Sequence, residues 1–335
     1  MSWNPSALFM KYRSTYCSAF YDLTKHSLYT AVTFYSIWCV RDSVWSIFPT
    51  ILLGLLNVKT FIIYHDCGHQ SYTPNSTVNT VLAVCSGILV ATPLSWSIRH
   101  DTHHVTNGIR TNKYDWRYNE HIYYTVKDYN ALPRWKQLAF YLLIHPVLFY
   151  LWAPFINFLV LERFSVIKLF HRKTRQIVES VYSLSTLIVN QIGHNIIFAA
   201  YLYYLNHCGI LYQWLASLWI ASTIGVILFH NQHTFQPAYV VSESEWTIHD
   251  SGIKGSSLIK VPSILQYFTG GIEYHHIHHM NSRVPGYHLK EYHEEVVRTS
   301  DVFDGVTELS LGDCYNNLWL TLYDEEKDLY TQLQI

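Results

Sequence analysis

Three short histidine clusters constrain the fold of this chain more than any other feature. They read His65-Asp-Cys-Gly-His69, His100-Asp-Thr-His-His104 and His275-His-Ile-His-His279. Residues three or four positions apart lie on one face of a helix, so each cluster can aim its imidazoles in one direction. Neutral imidazole binds iron, copper and zinc well. If the three segments converge, they supply at least eight imidazoles, which predicts a site for two metal ions.

The composition indicates a membrane protein with a sizeable polar part. Of the 335 residues, 50% are hydrophobic and only 14% are charged, whereas a typical soluble protein has about 25% charged residues. Aromatic residues reach 16%, and rings with one polar edge are favoured where a membrane meets water. A mean hydropathy of +0.06 is too low for a chain that lies in the membrane throughout. The net charge of -1 offers no basic face for nucleic acid.

The apolar segments predict an all-α integral membrane protein with about four transmembrane helices in two hairpins. Several segments approach the ~20 residues that a spanning helix needs. Residues 27–41 and 43–64 form the first hairpin, and residues 181–205 and 209–230 form the second, with Asn206–Gly209 as its turn. All three clusters must lie on one side of the membrane to share metals, and this condition fixes which segments cross.

Two further apolar segments, residues 78–97 and 138–161, must then begin and end on the side of the clusters. We expect re-entrant or interfacial helices there. Pro146 and Pro154 suit a bent helix because each removes a backbone hydrogen bond.

The expected organisation is a single domain that covers residues 1–335. The membrane part covers residues 27–230 and includes two cytoplasmic cluster segments, residues 65–69 and 99–117. Residues 231–335 form a cytoplasmic cap. The N-terminal segment lacks the basic and then apolar order of a cleaved signal peptide.

Basic residues predict that the clusters face the cytoplasm. They concentrate around the second cluster and between the hairpins, at Arg99, Arg110, Lys113, Arg117, Arg163, Lys168, Arg172, Lys173 and Arg175. The turn Asn206–Gly209 has none, and cytoplasmic loops carry the excess of Lys and Arg. Lys59, one to two turns before the first cluster, can extend its side chain to the same interface.

Three residues outside the histidine spacing also point to the site. Asp66 and Asp101 each follow the first histidine of a cluster, so on a helix they point about 100° away from it. We expect them to hold an imidazole through its other ring nitrogen rather than to bind metal. His233, at the end of the last apolar helix, would face the clusters. His230, one turn earlier, fits either a position facing the clusters or a position at the membrane interface.

At this level of detail the chain resembles the membrane fatty-acid desaturases, most of all the acyl-lipid Δ12 (omega-6) type. The similarity covers about residues 40–290 and includes more than the histidines. Its motifs are His65-Asp-Cys-Gly-His-Gln-Ser-Tyr, His100-Asp-Thr-His-His with Gly108, and Gly255-Ser-Ser, Pro262, Leu265-Gln-Tyr-Phe-Thr-Gly, Tyr274-His-His-Ile-His-His and Arg283-Val-Pro-Gly-Tyr287.

The resemblance implies a centre of two non-haem iron ions with nine histidine ligands. Matched position by position, these are His65, His69, His100, His103, His104, His233, His275, His278 and His279. His276 falls at a variable position and is not counted. Some family members have an asparagine four residues before the ligand that corresponds to His233, where this chain has Phe229. In those members the asparagine binds one iron through a water molecule, so the resemblance does not carry this contact over to Phe229.

The resemblance also implies the reaction. O2 is the co-substrate, and a cis double bond forms in an acyl chain of a membrane lipid, at Δ12 of oleoyl to give linoleoyl. The two electrons must come from a separate protein, cytochrome b5 or ferredoxin, since the chain shows no flavin, nicotinamide or haem motif and no cytochrome b5 module. We expect residues 43–64 and 209–230 to line the acyl tunnel. The membrane is that of the endoplasmic reticulum or the bacterial inner membrane, with the site on the cytoplasmic side.

Other functions remain open on the same residues. A hydroxylase, ketolase or conjugase shares the clusters, and so do desaturases with Δ9, Δ5 or omega-3 specificity. A metal transporter is disfavoured because its ligands lie near the middle of the bilayer, whereas these clusters lie at helix ends. A zinc protease needs HExxH, which the chain lacks. A protein that only holds metal differs from an enzyme in having no oxygen-dependent turnover.

Overall fold

The fold is mainly helical, with its long helices before residue 234. The computed structural model describes residues 5–110, 124–170 and 183–333. In these ranges the helices are α1 (Pro5–Tyr12), α2 (Tyr16–Val40), α3 (Ile47–Gly68), α4 (Ser76–Leu89), α5 (Ser95–His104), α6 (Val126–Asn130), α7 (Arg134–Ile144), α8 (Pro146–Leu159), α9 (Leu184–His207) and α10 (Leu211–His233). Two 3-10 helices, Val44–Ser46 and Leu161–Phe170, precede α3 and follow α8.

Within the described ranges, two helices are long and apolar enough to cross a membrane. They are Val44–Gly68, which contains α3, and α10. Their predicted hairpin partners, α2 and α9, are 25 and 24 residues long, but α2 contains Asp22 and Lys25, and α9 contains several amide side chains. Of the four helices predicted to span, one in each hairpin therefore has the length and composition to cross a membrane.

The segment predicted over residues 138–161 consists of two helices, α7 and α8. They meet at His145-Pro146 with a bend of 70°. Pro146 is the first residue of α8, where its missing N–H costs nothing, and it prevents α7 from continuing. Pro154 lies inside α8. The expectation of a bent helix is confirmed, with the break at the first proline.

The segment predicted over residues 78–97 is also interrupted. Helix α4 ends at Leu89 and α5 begins at Ser95. Between them the backbone of Ala91 has φ = +54°, a left-handed conformation that ends α4. The second histidine cluster therefore lies on a short helix of its own rather than directly after a long one.

The cap contains strands, so the all-α expectation is wrong for this part. Its helices are α11 (Ile248–Ile253), α12 (Ser263–Thr269), α13 (His275–Met280), α14 (Gly286–Thr299) and α15 (Leu311–Asn317). Its strands are β2 (Ser257–Ile259), β3 (Thr307–Leu309), β4 (Leu320–Asp324) and β5 (Leu329–Gln332), and a short strand from outside the cap, β1 (Tyr124–Thr125), pairs with β4. They form a three-stranded sheet, β1-β4-β5, and a parallel pair, β2-β3.

Helices α3 and α10 form the centre of the membrane part. They approach closely at Gly54, where an added Cβ would lie 2.7 Å from Cγ2 of Ile220. Asn57 Nδ2 donates to Ser217 Oγ across the same interface at 3.1 Å. The apolar core beside this pair includes Leu53, Trp214 and Leu218, which are almost fully buried. This packing fixes the position of α3 relative to α10, and both helices carry histidines at their C-terminal ends.

Three basic residues that predicted the orientation lie inside the protein instead of at its interface. Lys59 is buried and pairs with Asp22 at 2.6 Å. Arg99 is buried and pairs with Glu162 at 2.7 Å, and Arg163 is half-buried and donates to the carbonyl of Ala91. An arginine or lysine without a partner is costly in an apolar region, which explains these pairs. Lys113, Arg117, Arg172, Lys173 and Arg175 lie outside the described residues.

Candidate metal centre

Four helices bring nine histidines together at the junction of the membrane part and the cap. The five-histidine group consists of His65, His69, His100, His104 and His278, and the four-histidine group consists of His103, His233, His275 and His279. In each group, one ring nitrogen per histidine lies within 4.8 Å of the others. These nine are the histidines that the sequence predicted, and each group draws on more than one helix.

Local sequence explains how each helix presents its histidines. Helix α3 continues through the first cluster, so His65 lies on its last turn and His69 caps it. Gln70 then takes a left-handed conformation with φ = +59°, which turns the chain away. Helix α5 carries the second cluster, α10 ends at His233, and α13 carries the third cluster. The site is therefore built from helix ends.

The ring nitrogens converge in a way that hydrogen bonds alone do not satisfy. Nε2 of His100 lies 2.9 Å from Nε2 of His65 and 3.2 Å from Nε2 of His104. Nε2 of His233 likewise lies 3.0 Å from Nε2 of both His103 and His275. A neutral imidazole nitrogen either donates one hydrogen or accepts one. Nitrogens that gather around a common point in this way fit a bound cation.

Burial keeps these imidazoles in the form that binds metal. Desolvation, and next to it the neighbouring imidazoles, lower the pKa of His100, His104, His275, His278 and His279 well below the usual 6.5. These rings are therefore neutral at physiological pH, and neutral imidazole is the ligand form.

The two predicted acids lie behind the five-histidine group. Asp66 Oδ1 lies 3.0 Å from Nδ1 of His65, and Asp101 Oδ1 lies 2.9 Å from Nδ1 of His69. Asp66 also accepts the backbone N–H of Gly286. Each imidazole thus contacts a carboxylate with the nitrogen that points away from the group, the arrangement found behind many metal-bound histidines.

Two nearby histidines point elsewhere. His276 is buried, but its Nε2 lies 3.1 Å from Nδ1 of His293 on α14, so it packs inside the cap. Burial also lowers its pKa well below 6.5. Nε2 of His230 lies 2.8 Å from the carbonyl oxygen of Asn317. Both lie outside the two groups, as the sequence predicted for His276.

Comparison with known proteins decides the family. The model of the fatty acid desaturase family matches residues 43–305. This chain belongs to the fatty acid desaturase family. It is an oxidoreductase and a membrane protein.

Individual relatives extend this result. The desaturase is 28% identical over 330 residues to a fatty acid desaturase of Bacillus subtilis, which covers 93% of this chain and 87% of the relative. It is 25% identical over 262 residues to an sn-1 oleoyl-lipid 12-desaturase of a Picosynechococcus strain, covering 77% and 70%. A ferredoxin-dependent sn-1 acyl-lipid omega-3 desaturase of a Nostoc strain is 29% identical over 126 residues, covering 36% and 33%.

A cavity of about 440 Å³ lies beside the two histidine groups of the desaturase, within the usual range for ligand pockets. Helices α3 and α10 line it, as predicted, and α8 forms a further wall that the sequence did not indicate. His65 and His100 of the five-histidine group and His275 of the four-histidine group border it. One apolar cavity therefore touches both groups.

Sequence reasoning missed the polar residues on the cavity wall. Nη2 of Arg99 lies 2.7 and 2.8 Å from the two carboxylate oxygens of Glu162, and both residues are buried. Trp96 stacks on His100 with ring centroids 4.6 Å apart and planes 14° apart. Trp96 lies one turn before His100, and Arg99 directly precedes His100. Glu162 lies far from the clusters in the sequence, and no motif indicates it.

Proposed function

We propose that this desaturase uses O2 to insert a cis double bond at Δ12 of an oleoyl group on a membrane lipid, giving linoleoyl. The observation that carries this proposal is the single apolar cavity that borders both histidine groups. An acyl chain in this cavity presents a methylene to both groups at once. The cavity walls exclude water from the reacting carbon, which prevents side reactions there.

We propose that the cofactor is a pair of iron ions and that the nine histidines of the two groups are the ligands. The all-imidazole donor set suits iron among the metals that imidazole prefers. When bound, the iron pair supplies the activation of O2 that is needed to attack an unactivated C–H bond. The protein supplies the orientation of the rings. Asp66 and Asp101 hold His65 and His69 in place through their Nδ1 atoms, and Trp96 packs against His100.

The Δ12 position rests on similarity. The oleoyl-lipid 12-desaturase of Picosynechococcus aligns over most of this chain, and the segment Gly255–Tyr287 matches the Δ12 type. Omega-3 specificity is the second candidate because the Nostoc relative is an omega-3 desaturase. One methylene in an apolar pocket is worth only about 1–3 kcal/mol, so a few cavity side chains decide the position.

The proposed setting is a single desaturase domain with four membrane crossings and the metal centre in the cytoplasm, in the endoplasmic reticulum or the bacterial inner membrane. In this arrangement α2 and α9 cross beside α3 and α10. A separate carrier supplies electrons, either ferredoxin, as named for the Nostoc relative, or cytochrome b5. A cysteine placed at Asn206 tests the topology, because a reagent confined to the outer face should label it. Labelling from the cytoplasmic side alone contradicts the proposal.

The reaction is tested by expression in a yeast that makes oleate but no linoleate. Isotope-labelled stearoyl and oleoyl chains are supplied, and mass spectrometry locates the new bond. We expect labelled linoleate with the second bond at Δ12, and no product when O2 is withheld. A second double bond at any other position of the labelled oleoyl chain refutes the Δ12 position, and a hydroxylated or ketone product refutes desaturation.

A further inference from the structure

Helix α8 is a wall one helix thick between the cavity and an exposed apolar face of the protein. Phe149, Ala153 and Phe158 on one face line the cavity. The opposite face carries large apolar side chains that are exposed, including Leu148 and Trp152. An acyl chain that stays attached to a bilayer lipid must reach the cavity from the side of the protein. This thin wall lies between those two places.

Pro154 weakens the same wall. Proline has no N–H, so the carbonyl of the residue four positions earlier loses its helical partner. That residue is Tyr150, and its carbonyl oxygen accepts a hydrogen bond from Oγ1 of Thr223 on α10 at 3.0 Å. Trp219, one turn earlier on α10, donates from Nε1 to the carbonyl of Leu151 at 2.5 Å. Two side chains of α10 thus fasten α8 at the turn that the proline disrupts.

Space for a chain lies next to this fastening. Gly225 of α10 lines the cavity, and an added Cβ there would meet no heavy atom within 4 Å. Glycine inside a helix costs about 1 kcal/mol relative to alanine. The glycine, two residues from Thr223, leaves open space between α10 and α8 that a larger side chain would fill.

We propose that the acyl chain of a bilayer lipid enters the cavity sideways between α8 and α10, past Gly225, when Thr223 releases the carbonyl of Tyr150. Pro154 makes this opening possible because the released carbonyl has no competing helical N–H to hold the turn closed. The proposal rests on the proposed acyl-lipid substrate. Its tests below need no turnover, so they stand apart from the test of the reaction.

Hydrogen–deuterium exchange in lipid nanodiscs tests the fastening. Thr223→Val removes the donor and keeps the shape, and we expect exchange in peptides from 146–159 to rise about 2- to 10-fold, the effect of one hydrogen bond. Pro154→Ala restores an N–H for the carbonyl of Tyr150 and should slow that exchange. Thr223→Val should then have little effect in the Pro154→Ala background.

The matched control is Thr33→Val, because the Thr33 hydroxyl donates to the carbonyl of Tyr29 within its own helix. This variant should leave exchange in α8 unchanged. Thr223→Val could instead have equal effects in the wild-type and Pro154→Ala backgrounds. That result would show that the bond from Thr223 to the carbonyl of Tyr150 does not depend on Pro154, and it would overturn the proposal.

Photo-crosslinking tests the path itself. The probe is phosphatidylcholine with a diazirine near the end of one acyl chain, incorporated in the nanodisc. We expect crosslinks at the cavity faces of α8 and α10. Gly225→Leu should reduce them at least several-fold, whereas Gly193→Leu should not, because Gly193 on α9 has equal free space but does not line the cavity. Unchanged crosslinks in Gly225→Leu, or crosslinks that avoid both helices, contradict the path.

Discussion

The five-histidine group and the four-histidine group share one cavity, but their surroundings differ. Two carboxylates, Asp66 and Asp101, contact the outer nitrogens of the first group. In the second group, Nδ1 of His233 lies 2.9 Å from a neutral backbone oxygen, that of Gly255. A carboxylate behind an imidazole makes it a stronger base and a better ligand. We therefore expect the two proposed metal positions to differ in affinity.

Phe229 adds to this difference. Its ring lies 5.1 Å from the ring of His103 and 5.3 Å from that of His233, measured between centroids. It gives the four-histidine group an apolar neighbour at the position where some desaturases have an amide. The five-histidine group therefore has one more histidine and, among the described residues, two carboxylates at its outer nitrogens, whereas an aromatic ring packs against the four-histidine group. Four experiments test this contrast.

Loss of a proposed ligand should have the largest effect. The neighbours His278 and His279 belong to different groups, so His278→Ala and His279→Ala each remove one ring from one group. We expect both to abolish turnover, because the cavity borders both groups, and each to reduce the metal content measured by mass spectrometry. His276→Ala on the same helix is the control and should keep most activity. Full activity in either ligand variant contradicts the assignment.

Removal of metal by a chelator should occur in two phases. We expect the four-histidine group to release its metal first, so that an intermediate with one metal per chain accumulates. The fast phase should be absent in His279→Ala, and the slow phase should be absent in His278→Ala. Time-resolved metal analysis measures both phases. A single phase that removes both metals together would show that the sites are equivalent.

The two carboxylates should contribute unequally. Loss of a residue that orients a metal ligand typically reduces affinity 10- to 100-fold. We expect Asp66→Asn to fall in this range, because its side chain is only 4% exposed and also accepts the N–H of Gly286. The side chain of Asp101 is 49% exposed, so water can replace it and Asp101→Asn should have a smaller effect. Competition with a chelator measures both, and Asp250→Asn on the cap is the control.

Phe229→Asn should have the smallest effect. The amide places an oxygen near the four-histidine group, and we expect the fast phase of metal loss to slow a few-fold. Phe229→Leu is the matched control, since it also removes the ring but adds no oxygen. Equal rates in the two variants would show that Phe229 does not limit the coordination of this group.

The histidine clusters could be recognised in the sequence because their spacing is local information, whereas the full set of nine, with His233, came from the family resemblance. Spacing along one helix decides which rings share a face, and all nine predicted histidines lie in the two groups. The same holds for Asp66 and Asp101, which adjoin a histidine in the chain. That these residues bind iron stays a prediction.

What the sequence could not predict depends on distant partners or on very short elements. Lys59 and Arg99 carry charge, which suggested an interface, but Asp22 and Glu162 pair with them inside the protein. The cap strands have three to five residues, too few for a clear alternation of apolar and polar side chains. The break between α4 and α5 depends on one backbone conformation, that of Ala91.

Helix α3 carries a proposed metal ligand and also the deep end of the cavity. His65 borders the cavity at the metal centre, and Asn57 borders it eight residues earlier on the same helix. A helix rises about 1.5 Å per residue, so these two levels are about 12 Å apart. Because the helix itself sets this length, movement of the cap leaves it unchanged. Evolution can therefore alter the position of the double bond by exchanging side chains along α3 and α10, while the reactive centre is inherited intact.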